Sequence, residues 1–140
     1  MKTFKGYISS RRLTDGSYVP QKLQSIVIRN TCERFNLKFV FHATELIFEN
    51  WYTMFQDLTE DNFKKIDGIA LYSLFQLSDN KVQRNKLLKN VLKKNKELIM
   101  CNEKIYIKSI SDIDLIDNYI NISKTLKYCP DRKDLLDNFK

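Results

Sequence analysis

Asp67-Gly68-Ile69-Ala70-Leu71-Tyr72-Ser73-Leu74-Phe75-Gln76-Leu77-Ser78 is an apolar run that breaks off into hydroxyl and amide groups. Gly6-Tyr7-Ile8-Ser9-Ser10-Arg11 does the same near the N-terminus. A buried strand reads this way where it opens into a loop at the edge of a sheet. In open α/β sheets, ligands sit beyond the carboxyl ends of the strands, so the two runs mark a candidate site as well as two strands.

The rest of the chain arranges itself around them. Thr3 to Ser9 predicts the first strand, and Asp15-Gly16 a turn. Pro20 suits the first turn of a helix, where its missing N–H costs nothing. Leu23, Ile26, Val27, Thr31 and Phe35 recur there at helical spacing. Leu37 to His42 predicts the second strand. Asn50 is placed to cap a helix carrying Trp51, Met54, Phe55 and Leu58. Ile66 to Tyr72 predicts the third strand. Asp79 or Asn80 opens a long helix with Val82, Leu87, Leu88, Val91 and Leu92 inside and lysines outside. Glu97 to Cys101 and Lys104 to Lys108 predict a fourth and a short fifth strand. Ser111 then caps a helix with Ile113, Ile116, Ile120 and Ile122. Strict strand–helix alternation predicts a single flavodoxin-like, three-layer α/β domain over residues 1–128. Its mostly parallel sheet of four or five strands should run 2-1-3-4(-5), followed by a polar tail or short helix at 129–140.

Composition narrows the function classes. Hydrophobic residues make up 43% of the 140, enough for a folded core. No apolar run approaches the roughly 20 residues of a membrane span, and the N-terminus shows no apolar signal region, so the expected location is cytoplasmic. Cys32, Cys101 and Cys129 are widely spaced and His42 is the single histidine, so no zinc-ligand spacing is present and the thiols read as small hydrophobes. No GxGxxG or GxxxxGK[ST] follows a strand, and no cofactor is expected. Net charge is +7, and Lys81 to Lys104 hold eight basic residues against two acids. That run is either a solvated helix face or a surface for polyanions.

In the predicted order the first and third strands are neighbours, and the loops after them face one crevice. Arg11 and Arg12, with Gln21 at the start of the first helix, suit an anion there, since a helix N-terminus offers N–H groups and a positive dipole end. Tyr72, Ser73 and Gln76 face the same space. The competing account has the serines capping and the arginines pairing with surface carboxylates. Glu45, beside His42, and Glu103 are candidate acid–base groups. Ser10, or Ser9, is a candidate nucleophile for which the sequence identifies no base. Tyr52, and less so Trp51, can serve as an aromatic platform or simply pack on the sheet.

Two resemblances follow. Gly6-Tyr7-Ile8-Ser9-Ser10-Arg11, Val19-Pro20-Gln21 with Gln24, Val27-Ile28-Arg29-Asn30 with Cys32, Ala43-Thr44-Glu45, Asp67-Gly68-Ile69, Tyr72-Ser73-Leu74-Phe75 and Leu126 with Cys129-Pro130 resemble small bacterial proteins of sporadic carbohydrate-biosynthesis gene clusters. That resemblance implies a role in making surface polysaccharide, with a phosphosugar or nucleotide-sugar as ligand. More distantly, the chain is similar to the catalytic domain of serine recombinases, the resolvases and invertases. Their first strand ends in Tyr-x-Arg-x-Ser, and their third leads into Leu-Asp-Arg-Leu-x-Arg. Here Tyr7-Ile8-Ser9-Ser10-Arg11 has serine at the arginine position and arginine at the serine position. Leu74-Phe75-Gln76-Leu77-Ser78-Asp79 has Phe at the acid, Gln at the first arginine and Asp at the last. This resemblance implies the fold without the arginines that would hold a scissile phosphate. Neither a long dimer helix nor a helix-turn-helix is legible.

The first expectation is therefore a pathway protein of surface-carbohydrate biosynthesis, its reaction open. The alternative is a nucleic-acid-binding, resolvase-like module using the basic helix Lys81 to Lys96 and lacking recombinase catalysis, with nucleic acid the lesser of the two expected partners. A third reading is a non-catalytic partner docked on another enzyme. A homodimer fits the recombinase resemblance, and no membrane partner is expected.

Overall fold

A computed structural model describes residues 1–45 and 65–126, with the backbone alone for 41–45. The helix expected from Asn50, the tail from residue 129 and the boundary at 128 lie outside these residues. The described elements are β1 (Thr3–Ser9), α1 (Gln21–Arg34), β2 (Lys38–Glu45), β3 (Gly68–Leu71), α2 (Lys81–Lys93), β4 (Glu97–Met100), β5 (Ile105–Ile107) and α3 (Ile113–Leu126). Single 3-10 turns at Leu74–Gln76 and Ile110–Asp112 follow β3 and precede α3.

The sheet runs β2-β1-β3-β4-β5. β1 pairs in parallel with β2 and β3, and β3 with β4. β5 returns antiparallel to β4 and closes that side. The expected α/β class and strand order are those of the structure.

The burial pattern explains the layers. All four residues of β3 are buried. Ile69 and Leu71 point to one side, where Tyr7, Leu98 and Met100 meet Leu88 and Val91 of α2 and Ile116 of α3. Ala70 points to the other, with Phe4, Ile8 and Ile99 against Ile28 and Cys32 of α1. A strand covered on both faces has no solvent side, so its sequence is continuously apolar rather than alternating. Cys32 and Cys101 are free thiols in that second cluster, and burial pushes them up to about 11 and about 12.

Three local expectations change. The first is the phase of α1: its buried side is Gln24, Ile28 and Cys32, while Leu23, Ile26 and Phe35 are about half exposed. A polar residue leads the inward face because its amide completes hydrogen bonds at the end of β1. The second is in α2, where Val82 is out at 80% exposure and Arg84 is in at 4%. The Arg84 guanidinium is drawn inward by Asp117 of α3, at 2.8 Å, and by the carbonyl of Ser78, at 3.3 Å. The third is the entry to α3. Asp112, rather than Ser111, caps the approach, accepting from the N–H groups of Lys108 and Ser109 at 3.0 Å each.

Gly68 marks a close approach of β3 to its neighbours. A Cβ there would lie 2.3 Å from the Phe4 ring and 2.6 Å from the carbonyl oxygen of Glu97, its register partner on β4. Backbone at that distance cannot swing aside. Gly68→Ala is therefore expected to destabilise the fold by about 1–3 kcal/mol, the usual range for overpacking. Urea midpoints of the two proteins measure this, and equal midpoints would show that the strands separate freely.

Candidate functional site

β1 and β3 are adjacent, and their carboxyl ends release two loops side by side. Gln24 reaches across from α1. Its Nε2 donates to the carbonyls of Ser9 and Val19, both at 2.8 Å. Its Oε1 accepts from the Ser9 N–H and from Gln76 Nε2, both at 3.0 Å. Gln76 also donates to Ser9 Oγ at 3.2 Å and accepts the Ser73 N–H at 3.2 Å. Ser9, Gln24, Ser73 and Gln76 are essentially inaccessible. Buried amides are tolerated when both ends are satisfied, and here they are.

Arg11 belongs to the same knot. It is 6% exposed, and its Nη2 donates to Tyr7 Oη at 3.1 Å and to the Gln76 carbonyl at 2.8 Å. The guanidinium thus turns into the protein. Arg12 lies outside and donates to the Gly16 carbonyl at 3.3 Å. Thr14 pins the loop after β1 to the 3-10 turn, its N–H donating to the Phe75 carbonyl at 2.8 Å.

A second node sits beside it. The Ser73 hydroxyl donates to Glu103, and the Leu74 N–H donates to the other Glu103 oxygen at 3.2 Å. Ser73 Oγ in turn accepts the Phe75 N–H at 3.1 Å, capping the turn. Burial raises the Glu103 carboxyl above the ordinary glutamate range, and the Ser73 and backbone donors only partly offset it. Burial, then the Glu103 charge, raises the Tyr72 phenol.

Of the residues expected at the site, Arg11, Ser73 and Gln76 meet in the knot, and Tyr72 and Glu103 stand at its side. Ser10 and Gln21 are half-buried at the end of β1 and the start of α1. Glu45 ends β2 in register with Ser9. Its side chain, like that of His42 and the whole of Trp51 and Tyr52, lies outside the described residues. Tyr7, Ser9 and Gln24 form the knot without having stood among the leading candidates. Gln24 carried a legible signal: it shares a four-residue spacing with Ile28 and Cys32.

The basic run divides once folded. Arg84 pairs with Asp117, Lys96 donates to the Ile66 carbonyl at 2.6 Å, and Lys81 stands 3.9 Å from Asp117. Lys86, Lys89 and Lys93 are exposed on the outer side of α2. Among the described residues, no group of three His, Cys, Asp or Glu is placed to hold a metal ion, and no helix is long and apolar enough to cross a membrane.

No protein-family model matches the chain, and no curated protein matches it. Solved structures do. The N-terminal catalytic domain of TP901-1 integrase is 22% identical, with a TM-score of 0.61 over 89% of this chain and 99% of that one. A resolvase family site-specific recombinase from Streptococcus pneumoniae is 14% identical, with a TM-score of 0.57 over 90% of this chain and 95% of that one. The fold is thus that of recombinase catalytic domains. This likeness overturns the expectation of a surface-carbohydrate pathway protein, and a phosphosugar or nucleotide-sugar ligand has no support. The resemblance to recombinases stands at the level of fold.

Glu103 gives the site a pH signature. Its folded carboxyl binds a proton at higher pH than the unfolded one, so this group favours folding as pH falls and opposes it as pH rises through the folded value. Wild type should therefore gain stability relative to Glu103→Gln as pH is lowered from neutrality towards the unfolded glutamate range. Urea titrations across that interval test the assignment, and two curves that stay parallel would refute it.

Proposed function

We propose that this chain is a nucleic-acid-binding module on a recombinase-type fold that does not break and rejoin strands. The observation that carries the binding half is the exposed lysine row on α2, in a chain of net charge +7. Polyanion binding is the ordinary use of such a row, and the fold neighbours are proteins described as an integrase and a recombinase.

The knot supports the catalytic half. In the recombinase pattern three positions would hold arginines. Here they are Ser9, Gln76 and Asp79, and Gln76 donates to Ser9 at 3.2 Å. The position of the serine nucleophile is Arg11, turned onto Tyr7 and the Gln76 carbonyl. Two neutral groups that satisfy one another, and one carboxylate, replace a set of cations. Without a nucleophile and clamping cations, phosphoryl transfer loses both its attacking atom and its charge stabilisation.

Purified protein should bind duplex DNA with affinity that falls steeply between low and moderate salt, and should leave supercoiled plasmid uncut. Fluorescence anisotropy and a plasmid-nicking gel check this. A covalent protein–DNA adduct, or no binding at any salt, would reject the proposal.

Self-association is a second element of the same reading. Leu115, Tyr119, Ile122 and Leu126 are 54%, 40%, 60% and 63% exposed on α3. Their alternating four- and three-residue spacing is the seam of a paired helix. Sedimentation equilibrium should show a dimer that Ile122→Glu dissociates; a monomeric wild type would remove this element.

A further inference from the structure

We infer that the phosphate-contacting surface is the three-lysine strip Lys86, Lys89 and Lys93, and that its ligand is double-helical nucleic acid held by backbone phosphates without reading sequence. This rests on the nucleic-acid reading above and makes it specific.

The geometry of α2 selects the strip. At 100° per residue, the three lysines fall within an arc of about 60° and about 10 Å of helix axis. Leu87, Leu88, Val91 and Leu92 lie on the opposite arc and are buried against the sheet. The cations therefore stand on a helix whose other side is fixed in the core, with Asn80 closing its N-terminus by accepting the Gln83 N–H at 3.1 Å.

Asp117 sets the boundary of the strip. It holds the Arg84 guanidinium at 2.8 Å, lies 3.9 Å from Lys81 and accepts from Asn85 at 3.4 Å. The N-terminal turn of α2 is thus committed to α3. At the other end, Lys96 is turned inward to Ile66. Between residues 81 and 96, Lys81 and Arg84 stand against Asp117 and Lys96 against the Ile66 carbonyl, while Lys86, Lys89 and Lys93 face out along one side of the helix.

The residue types define the ligand. Single strands are gripped by stacking bases on aromatic rings, and the exposed side of α2 carries Lys, Asn and Val but no aromatic. Base edges are read best by the bidentate fork of arginine, and the one arginine of the helix is buried on Asp117. Lysine is a mobile point charge suited to phosphate oxygens. What remains is contact with the phosphates of a double helix, which DNA and RNA duplexes share.

The test uses the full chain and fluorescently labelled oligonucleotides: two unrelated DNA duplexes, an RNA duplex and a single strand of equal length. Three phosphate contacts predict a log–log salt slope of about −3, which is roughly a 40-fold loss between 50 and 200 mM salt. The unrelated duplexes should bind alike, and the single strand more weakly. Lys86→Glu/Lys89→Glu/Lys93→Glu should abolish binding with an unchanged circular dichroism spectrum, whereas Lys81→Ala should keep the wild-type slope. If wild type binds no nucleic acid, the nucleic-acid reading itself fails. If wild type binds and the folded triple variant binds equally, that reading survives and the strip is wrong. A strong preference for one duplex sequence or for the single strand overturns the backbone-only mode. Binding to anionic vesicles but to no oligonucleotide overturns the choice of ligand.

Discussion

The carboxyl edge of this sheet depends on one side chain. β3 ends at Leu71, opposite Tyr7, so β1 runs two residues past its neighbour. On the side of β3 the buried backbone of Ser9 therefore has no strand to pair with. Gln24 makes the two bonds such a strand would make, accepting the Ser9 N–H and donating to the Ser9 carbonyl. An unmatched buried N–H or carbonyl costs about 1–3 kcal/mol. The amide also meets Gln76, so the first helix, the first strand and the turn after the third are fastened at one point. The position of α1 over the sheet, and of the loop carrying Arg11, follows from it.

The framework was legible because it follows from burial. A strand covered on both faces must be apolar throughout, and helices that pack on one side must repeat at helical spacing. Hence the strand order, the extent of β1 and the start of α2 at Asn80 emerge from the residues. The phase of α1 did not, since Leu23, Ile26 and Phe35 are apolar yet face outward, while Gln24 is polar and faces in. Pattern counting ranks residues by hydropathy and cannot know that a carbonyl and an N–H wait at a strand end. Val82 and Arg84 in α2 show the same limit: the partner that draws Arg84 inward, Asp117, is 33 residues away in sequence.

At the candidate site the sequence names the loops, and the folded chain shows how their side chains bond. The two loops do meet beyond β1 and β3. Side chains chosen as anion ligands turn out to be bonded to one another, Arg11 to Gln76 and Gln76 to Ser9. A serine, a glutamine and an arginine look the same in a sequence whether they wait for a ligand or complete a core. What separates the cases is solvent exposure, which no spacing of residue types reveals. Surface-carbohydrate chemistry was likewise inferred from motif company, and the comparison of folds points elsewhere.

The buried thiols give the molecule a gauge of its own motion. Cys32 sits at the end of α1 and Cys101 just past β4, both under 5% exposed, with thiolate formation suppressed by burial. Thiolate is the form that attacks an alkylating reagent, so neither sulfur reacts while the helix lies on the sheet. The rate at which these two positions take up a label in the native protein therefore counts the openings of that layer, without any engineered probe.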